Sequence, residues 1–104
     1  MATIQDVKNA QPGKLKLIDI RKKPDERQIP GSMRAEGEVL ETSDQLPFGK
    51  DEHVVLYCRS GNSCSRVAQT LREKGYVNAE ALEGGYTAWT DAGLPTEPRD
   101  REGS

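Results

Sequence analysis

Three consecutive apolar residues, Val54, Val55 and Leu56, constrain this chain more than any other feature. An unbroken apolar run that short suits a strand buried on both faces of a parallel sheet. Shortly after it comes SCSRVAQTLREKG, in which Cys64, Val67, Ala68 and Leu71 recur at helical spacing. Ser65, Arg66, Gln69, Arg72 and Glu73 form the wet side of that helix. Ser63 is placed to cap its start, and Gly75 stands where a left-handed C-terminal cap belongs. A further apolar run, Ala79 to Leu82, follows. Strand, loop, helix and strand in this order have the length of a βαβ crossover. The fold class expected is α/β.

With 104 residues the chain suffices for one domain and not two. Only 34% of it is apolar while 31% is charged, so the core has to be small, and the clustering of the apolar residues is what still permits a fold. Acids and bases nearly cancel, leaving a formal charge of −2, which argues against a nucleic-acid or membrane-surface binder. No stretch approaches the ~20 apolar residues a bilayer span needs. MATIQDVKNAQPG lacks the basic-then-apolar plan of a signal peptide. Two cysteines make no disulfide scaffold, so a reducing, cytoplasmic setting is the simpler expectation.

Elsewhere the pattern is coarser. LKLIDI, Leu15 to Ile20, reads as a strand. Thr3 and Asp6 have capping-box spacing before a short helix that Pro12-Gly13 ends. Ile29-Pro30-Gly31 is a turn, and Met33 to Lys50 shows no clear period, with one helical turn expected at Ser43 to Leu46. Gly84-Gly85 leads into a short helix bearing Tyr86, Ala88 and Trp89, closed by Gly93 and Pro95. The domain is expected to span residues 1–95, with Thr96 to Ser104 a polar, disordered tail.

Cys58 falls at the carboxyl end of the central strand, the edge where open α/β sheets bind ligands. The next helix starts about five residues on, so its unpaired N–H groups and positive dipole end point back at the loop. With Gly61 free to adopt positive φ, a loop this short can turn backbone N–H groups inward as an anion nest. A thiol within it has its thiolate stabilised and its pKa lowered. Arg59 adds charge at the rim; Asn62 and Ser63 add polar side chains. Such an arrangement suits a cysteine nucleophile acting on an anionic substrate. The competing reading makes Cys58 a small inert residue at a strand end. Cys64 shares the apolar stripe and is read as core; pairing with Cys58 stays open, since sequence spacing does not fix the geometry.

CRSGNS (Cys58 to Ser63), ALEGGYTAWTDAGLP (Ala81 to Pro95), LIDIR (Leu17 to Arg21) and IPGS (Ile29 to Ser32) together resemble a rhodanese-like domain, in that family's order. The resemblance is to small single-domain thiosulfate sulfurtransferases. It implies a three-layer α/β/α fold around a central parallel five-stranded sheet. It also implies Cys58 as the persulfide-forming nucleophile, with Arg59, Ser60, Gly61, Asn62 and Ser63 binding the substrate. Asp19 and Arg21 look like supports at a neighbouring strand end; a structural ion pair or solvated charges is the alternative for them. The implied reaction moves sulfane sulfur from thiosulfate to cyanide or a thiol acceptor, without metal, nucleotide or organic cofactor. A monomer is expected, whose partners are a small anionic sulfur donor and a thiol or protein acceptor.

Arg27-Gln28 stands where many relatives have Gly-His, and SMRAEGEVLE lacks an apolar strand pattern. His53 lies at the start of the central strand, opposite Cys58, and is not expected to act as a base. Trp89 is read as packing. Three rivals remain: a sulfur-relay carrier, a non-catalytic interaction module, and a cysteine phosphatase or arsenate reductase. The last needs an arginine six residues after the nucleophile, and that position is Cys64.

Overall fold

The computed structural model describes residues 2–9, 15–21, 27–43, 46, 48–59 and 62–98, and of Asn62 and Ser63 only the backbone. In chain order the elements are α1 (Ile4–Asn9), β1 (Lys16–Asp19), β2 (Arg27–Gln28), β3 (Met33–Arg34), α2 (Gly37–Thr42), β4 (Val54–Tyr57), α3 (Asn62–Glu73), β5 (Ala79–Ala81), α4 (Gly85–Asp91) and β6 (Glu97–Pro98).

β4 is central because all four of its residues are buried. It pairs in parallel with β1 on one side, Leu17 opposite Val55, and with β5 on the other, Leu56 opposite Ala81. β3 extends the sheet beyond β1, giving the order β3-β1-β4-β5. Among the described residues, the five-stranded sheet implied by the resemblance therefore consists of four parallel strands and a fifth position one residue wide. There Ala2 bridges in parallel to Leu82, its N–H donating to the Ala81 carbonyl at 2.9 Å.

Strand alternation divides the core in two. Val54 and Leu56 face α2 and α3, joining Ile18, Leu40, Val67 and Leu71. Val55 and Tyr57 face α1 and α4, joining Leu17, Leu82 and Trp89. Burying a side chain of this size stabilises by about 1.5–3 kcal/mol relative to leaving it in water. That is why so small an apolar fraction suffices: nearly all of it is spent on one sheet. Trp89 packs as expected, its indole N–H donating to the Pro95 carbonyl at 2.7 Å.

Local signals are largely met. Thr3 and Asp6 close a reciprocal capping box, at 3.0 and 3.2 Å. Hydrogen bonding to Thr3, from its backbone N–H first and its side chain second, holds the Asp6 carboxyl below its ordinary pKa. Gly75 has φ 104° after α3, and the Tyr76 N–H returns to the Leu71 carbonyl. α3 begins at Asn62, so Ser63 lies inside its first turn rather than before it.

Differences concentrate in the polar segments. The helix in the middle of the chain is Gly37–Thr42, ahead of the turn expected at Ser43 to Leu46; Ser43 is already extended, at ψ 140°, and residues 44 and 45 lie outside the described residues. It buries only Leu40, too little to leave a period in the sequence. Past Pro95, β6 pairs antiparallel with β2. Side chains rather than apolar patterning hold it: the Gln28 amide donates to Glu97 Oε2 at 2.7 Å, and Arg27 Nε to Thr96 Oγ1 at 2.6 Å. Pro12-Gly13 and residues 99–104 lie outside the described residues. No helix among those described is long and apolar enough to cross a membrane.

Candidate active site

Cys58 immediately follows β4, at the carboxyl edge of the sheet, and is 6% exposed. Its carbonyl accepts the Tyr86 N–H at 2.8 Å, and the Arg59 carbonyl accepts the Thr87 N–H at 3.0 Å. These donors belong to the first turn of α4, whose N–H groups have no partners within the helix. A trans peptide sets C=O and the following N–H antiparallel, so the Arg59 N–H points away from α4. Arg59 itself is exposed. Ser60 and Gly61 lie outside the described residues, and Asn62 and Ser63 open α3.

The approach of α4 to this loop explains a pair of glycines that the sequence places only as the lead into a short helix. Gly84 and Gly85 have φ 76° and 58°, conformations that a side chain disfavours. At Gly85 a Cβ would stand 2.3 Å from the Cys58 carbonyl oxygen and 2.9 Å from that of Arg59. Gly85 therefore belongs to the site. The signal available in the sequence was the Gly-Gly pair itself, though not its target.

Beneath lies a buried ion pair. Arg21 Nη2 donates to Asp19 Oδ2 at 2.8 Å and Nε to Oδ1 at 3.0 Å, with 3% and 0% of the two side chains exposed. Arg21 also donates to the Arg27 carbonyl at 2.7 Å. Its guanidinium carbon lies 4.0 Å from the centre of the Tyr86 ring, a cation–π contact, and Tyr86 stacks on Tyr57. The Tyr57 hydroxyl meets Ser32 Oγ at 2.9 Å and accepts the Ile29 N–H. Burial pushes that phenol above its ordinary pKa. So LIDIR, IPGS and the Gly-Gly helix converge behind Cys58: Asp19 fixes Arg21, Arg21 seats Tyr86, and the Tyr86 N–H holds the Cys58 carbonyl. Of the alternatives weighed for Asp19 and Arg21, burial rules out solvated charges, and the two residues form a structural ion pair. Arg34, not singled out from sequence, donates from this edge to the Asp19 carbonyl at 2.9 Å.

Cys64 is fully buried on the sheet-facing side of α3, as the stripe predicts. Its sulfur is also 3.5 Å from that of Cys58, hydrogen-bonding distance for two thiols. Contact with Cys58 and burial push the Cys64 thiol well above the usual thiol range. His53 is at the far end of β4, bonded to Glu80, and takes no part here. An open groove of about 670 Å³ beside β5 is lined by His53, Arg72, Asn78 and Glu80 among others, and not by Cys58.

The rhodanese-like domain profile matches residues 3–92 of the chain. A sulfurtransferase of Allochromatium vinosum is 34% identical over 82 residues, covering 76% of this chain and 75% of that protein. Among solved structures, a Rhodopseudomonas palustris protein of unknown function, described as a possible tyrosine phosphatase, superposes with TM-score 0.76 at 29% identity, covering 93% of this chain and 83% of that one. The human single-domain sulfurtransferase TSTD1 shares the fold at TM-score 0.76 and 20% identity, over 88% and 95% of the two chains. The chain spans only 29% and 27% of the length of the first two curated relatives it matches.

Proposed function

Since the chain belongs to the rhodanese-like domain family, we propose that it is a sulfurtransferase that carries sulfane sulfur on Cys58, with thiosulfate as donor. The observation that carries this reading is the Cys58 thiol at the carboxyl end of β4, with its own and the Arg59 carbonyls drawn off onto α4. A backbone fixed in that way turns these carbonyls toward α4 and leaves the Arg59 N–H, a donor, for an anionic sulfur compound, and needs no rearrangement when charge builds up there.

In the first step the Cys58 thiolate attacks the outer sulfur of thiosulfate. The S–S bond of the donor breaks, sulfite leaves with its electron pair, and Cys58 retains an anionic persulfide. In the second, cyanide or a thiol attacks the outer sulfur and the Cys58 thiolate returns. With cyanide the product is thiocyanate. Arg59, Ser60, Gly61, Asn62 and Ser63 bind the departing anion through the loop backbone, while Asp19 and Arg21 support the site through Tyr86. Low exposure of Cys58 favours donors that offer one projecting sulfur. Phosphatase chemistry is disfavoured because Cys64, buried and neutral, occupies the position where a phosphate-clamping arginine is required.

The test is single-turnover sulfite release. Reduced protein mixed with thiosulfate is expected to release one equivalent of sulfite, and thiocyanate in excess cyanide; Cys58→Ser is expected to do neither while keeping the wild-type circular dichroism. Sulfite release persisting in Cys58→Ser removes that residue from the mechanism. No release from the wild type rejects thiosulfate as donor.

A further inference from the structure

Transfer to an external acceptor uses one cysteine, yet the fold places the second thiol against the first. A core position on α3 needs only a small apolar side chain, and alanine or valine fills it without a thiol. Here the two sulfurs are 3.5 Å apart, close to the ~3–3.5 Å at which reacting atoms are poised for attack. Both ends of that contact are anchored. The Cys58 carbonyl is held by the Tyr86 N–H at 2.8 Å, and Cys64 belongs to a helix of 12 residues. Forming a bond of about 2.05 Å needs a closure of roughly 1.5 Å, within the reach of χ1 rotation at the two side chains.

We propose that Cys64 is a resolving thiol, which turns the Cys58 persulfide into a Cys58–Cys64 disulfide and releases hydrosulfide. This rests on the reading that Cys58 takes up sulfane sulfur. The Cys64 sulfur attacks the inner sulfur of the persulfide, on Cys58. The bond to the outer sulfur breaks, the outer sulfur takes the electron pair and the proton of Cys64, and it departs as hydrosulfide. Two cysteine sulfurs are each oxidised by one electron and the sulfane sulfur is reduced by two. Summed with loading, two thiols and thiosulfate give a disulfide, sulfite and hydrosulfide, without oxygen or any other oxidant. An external dithiol restores both thiols by exchange.

The environment of Cys64 orders the steps. Its contact with Cys58 and its burial hold the proton on Cys64 while Cys58 is unloaded, so that Cys58 alone meets the donor. Loading moves the negative charge from the Cys58 sulfur to the outer sulfur, which then serves as both leaving group and proton acceptor. Complete burial of Cys64 confines its reactivity to that one neighbour.

The experiment loads reduced wild type, Cys64→Ser and Cys64→Ala with thiosulfate in the absence of oxygen. After an acid quench it reads intact mass, sulfite and hydrosulfide. For the wild type the expected result is one equivalent each of sulfite and hydrosulfide, a mass lower by two hydrogens, and no uptake of an alkylating agent. The variants are expected to release sulfite, hold a mass higher by one sulfur, and give no hydrosulfide. Their sulfur uptake itself shows that the site is folded. A wild type that releases sulfite but keeps the added sulfur, with no hydrosulfide, overturns the resolving role and leaves the carrier reading intact. Hydrosulfide release undiminished in both variants overturns it too. If no protein releases sulfite, thiosulfate is not the donor, and the loading step proposed above and the resolving role that rests on it are overturned together.

Discussion

Each end of the sheet holds an acid–base pair, and the two settings are opposite. At the amino end His53 and Glu80 meet with 43% and 35% of their side chains exposed, beside an open groove. At the carboxyl end Asp19 and Arg21 are 0% and 3% exposed, under the aromatic ring whose backbone holds Cys58. The amino-end pair contains the chain's only histidine, yet the sequence already assigns that residue no catalytic part, and burial separates the two pairs in the same sense. Water screens the first pair into near irrelevance, while the second pair is rigid because moving either member strands a charge in the core.

Asp19→Ala is the severest way to break the comparison. It leaves the Arg21 guanidinium buried without its carboxylate, and unfolding in urea is expected to show a loss of about 3–5 kcal/mol. A loss below ~1 kcal/mol means that the carboxyl end is no more rigid than the amino end. Gly85→Ala comes next. The new methyl group collides with the Cys58 carbonyl and forces a strained φ, so about 1–3 kcal/mol of stability is expected to go. Single-turnover sulfite release is expected to slow at least ~10-fold in the fraction that stays folded, the cost of a misplaced reacting group. Unchanged rates with lowered stability make α4 mere packing. His53→Gln is the control, expected to stay within ~0.5 kcal/mol and to leave sulfite release unchanged. A large effect there moves chemistry to the wrong end of the sheet.

How much of this was legible beforehand depended on the range of the interaction. The capping box at Thr3 and Asp6, the Gly75 cap and the β4–α3–β5 unit all arise from neighbours in sequence, and their residue patterns announce them. Asp19 and Arg21 were legible as a motif; that both are buried was not, because burial depends on Tyr86, far along the chain. β2, β3 and β6 are two residues long, too short for any periodicity, and Arg27 with Gln28 holds β6 through side chains. Cys64 was read correctly as core. Its 3.5 Å approach to Cys58 follows from how the intervening loop closes, which spacing along the sequence does not determine. Gly85 shows the same limit: a glycine pair is visible, while the carbonyl it must clear is a tertiary fact.

The dependence of Cys58 on α4 also bears on the order of events during synthesis. Translation proceeds at about 5–20 residues per second, from the amino terminus. Cys58 is therefore polymerised well before Tyr86 and Thr87, whose N–H groups fix its backbone. β1, β4 and α3 are on hand to begin collapsing while those donors are still unmade. The sulfur thus spends the first seconds of its existence as an ordinary cysteine in a nascent chain, and acquires its shaped surroundings only when α4 emerges and docks. The backbone setting of Cys58 is a property of the finished polypeptide, completed late and from downstream.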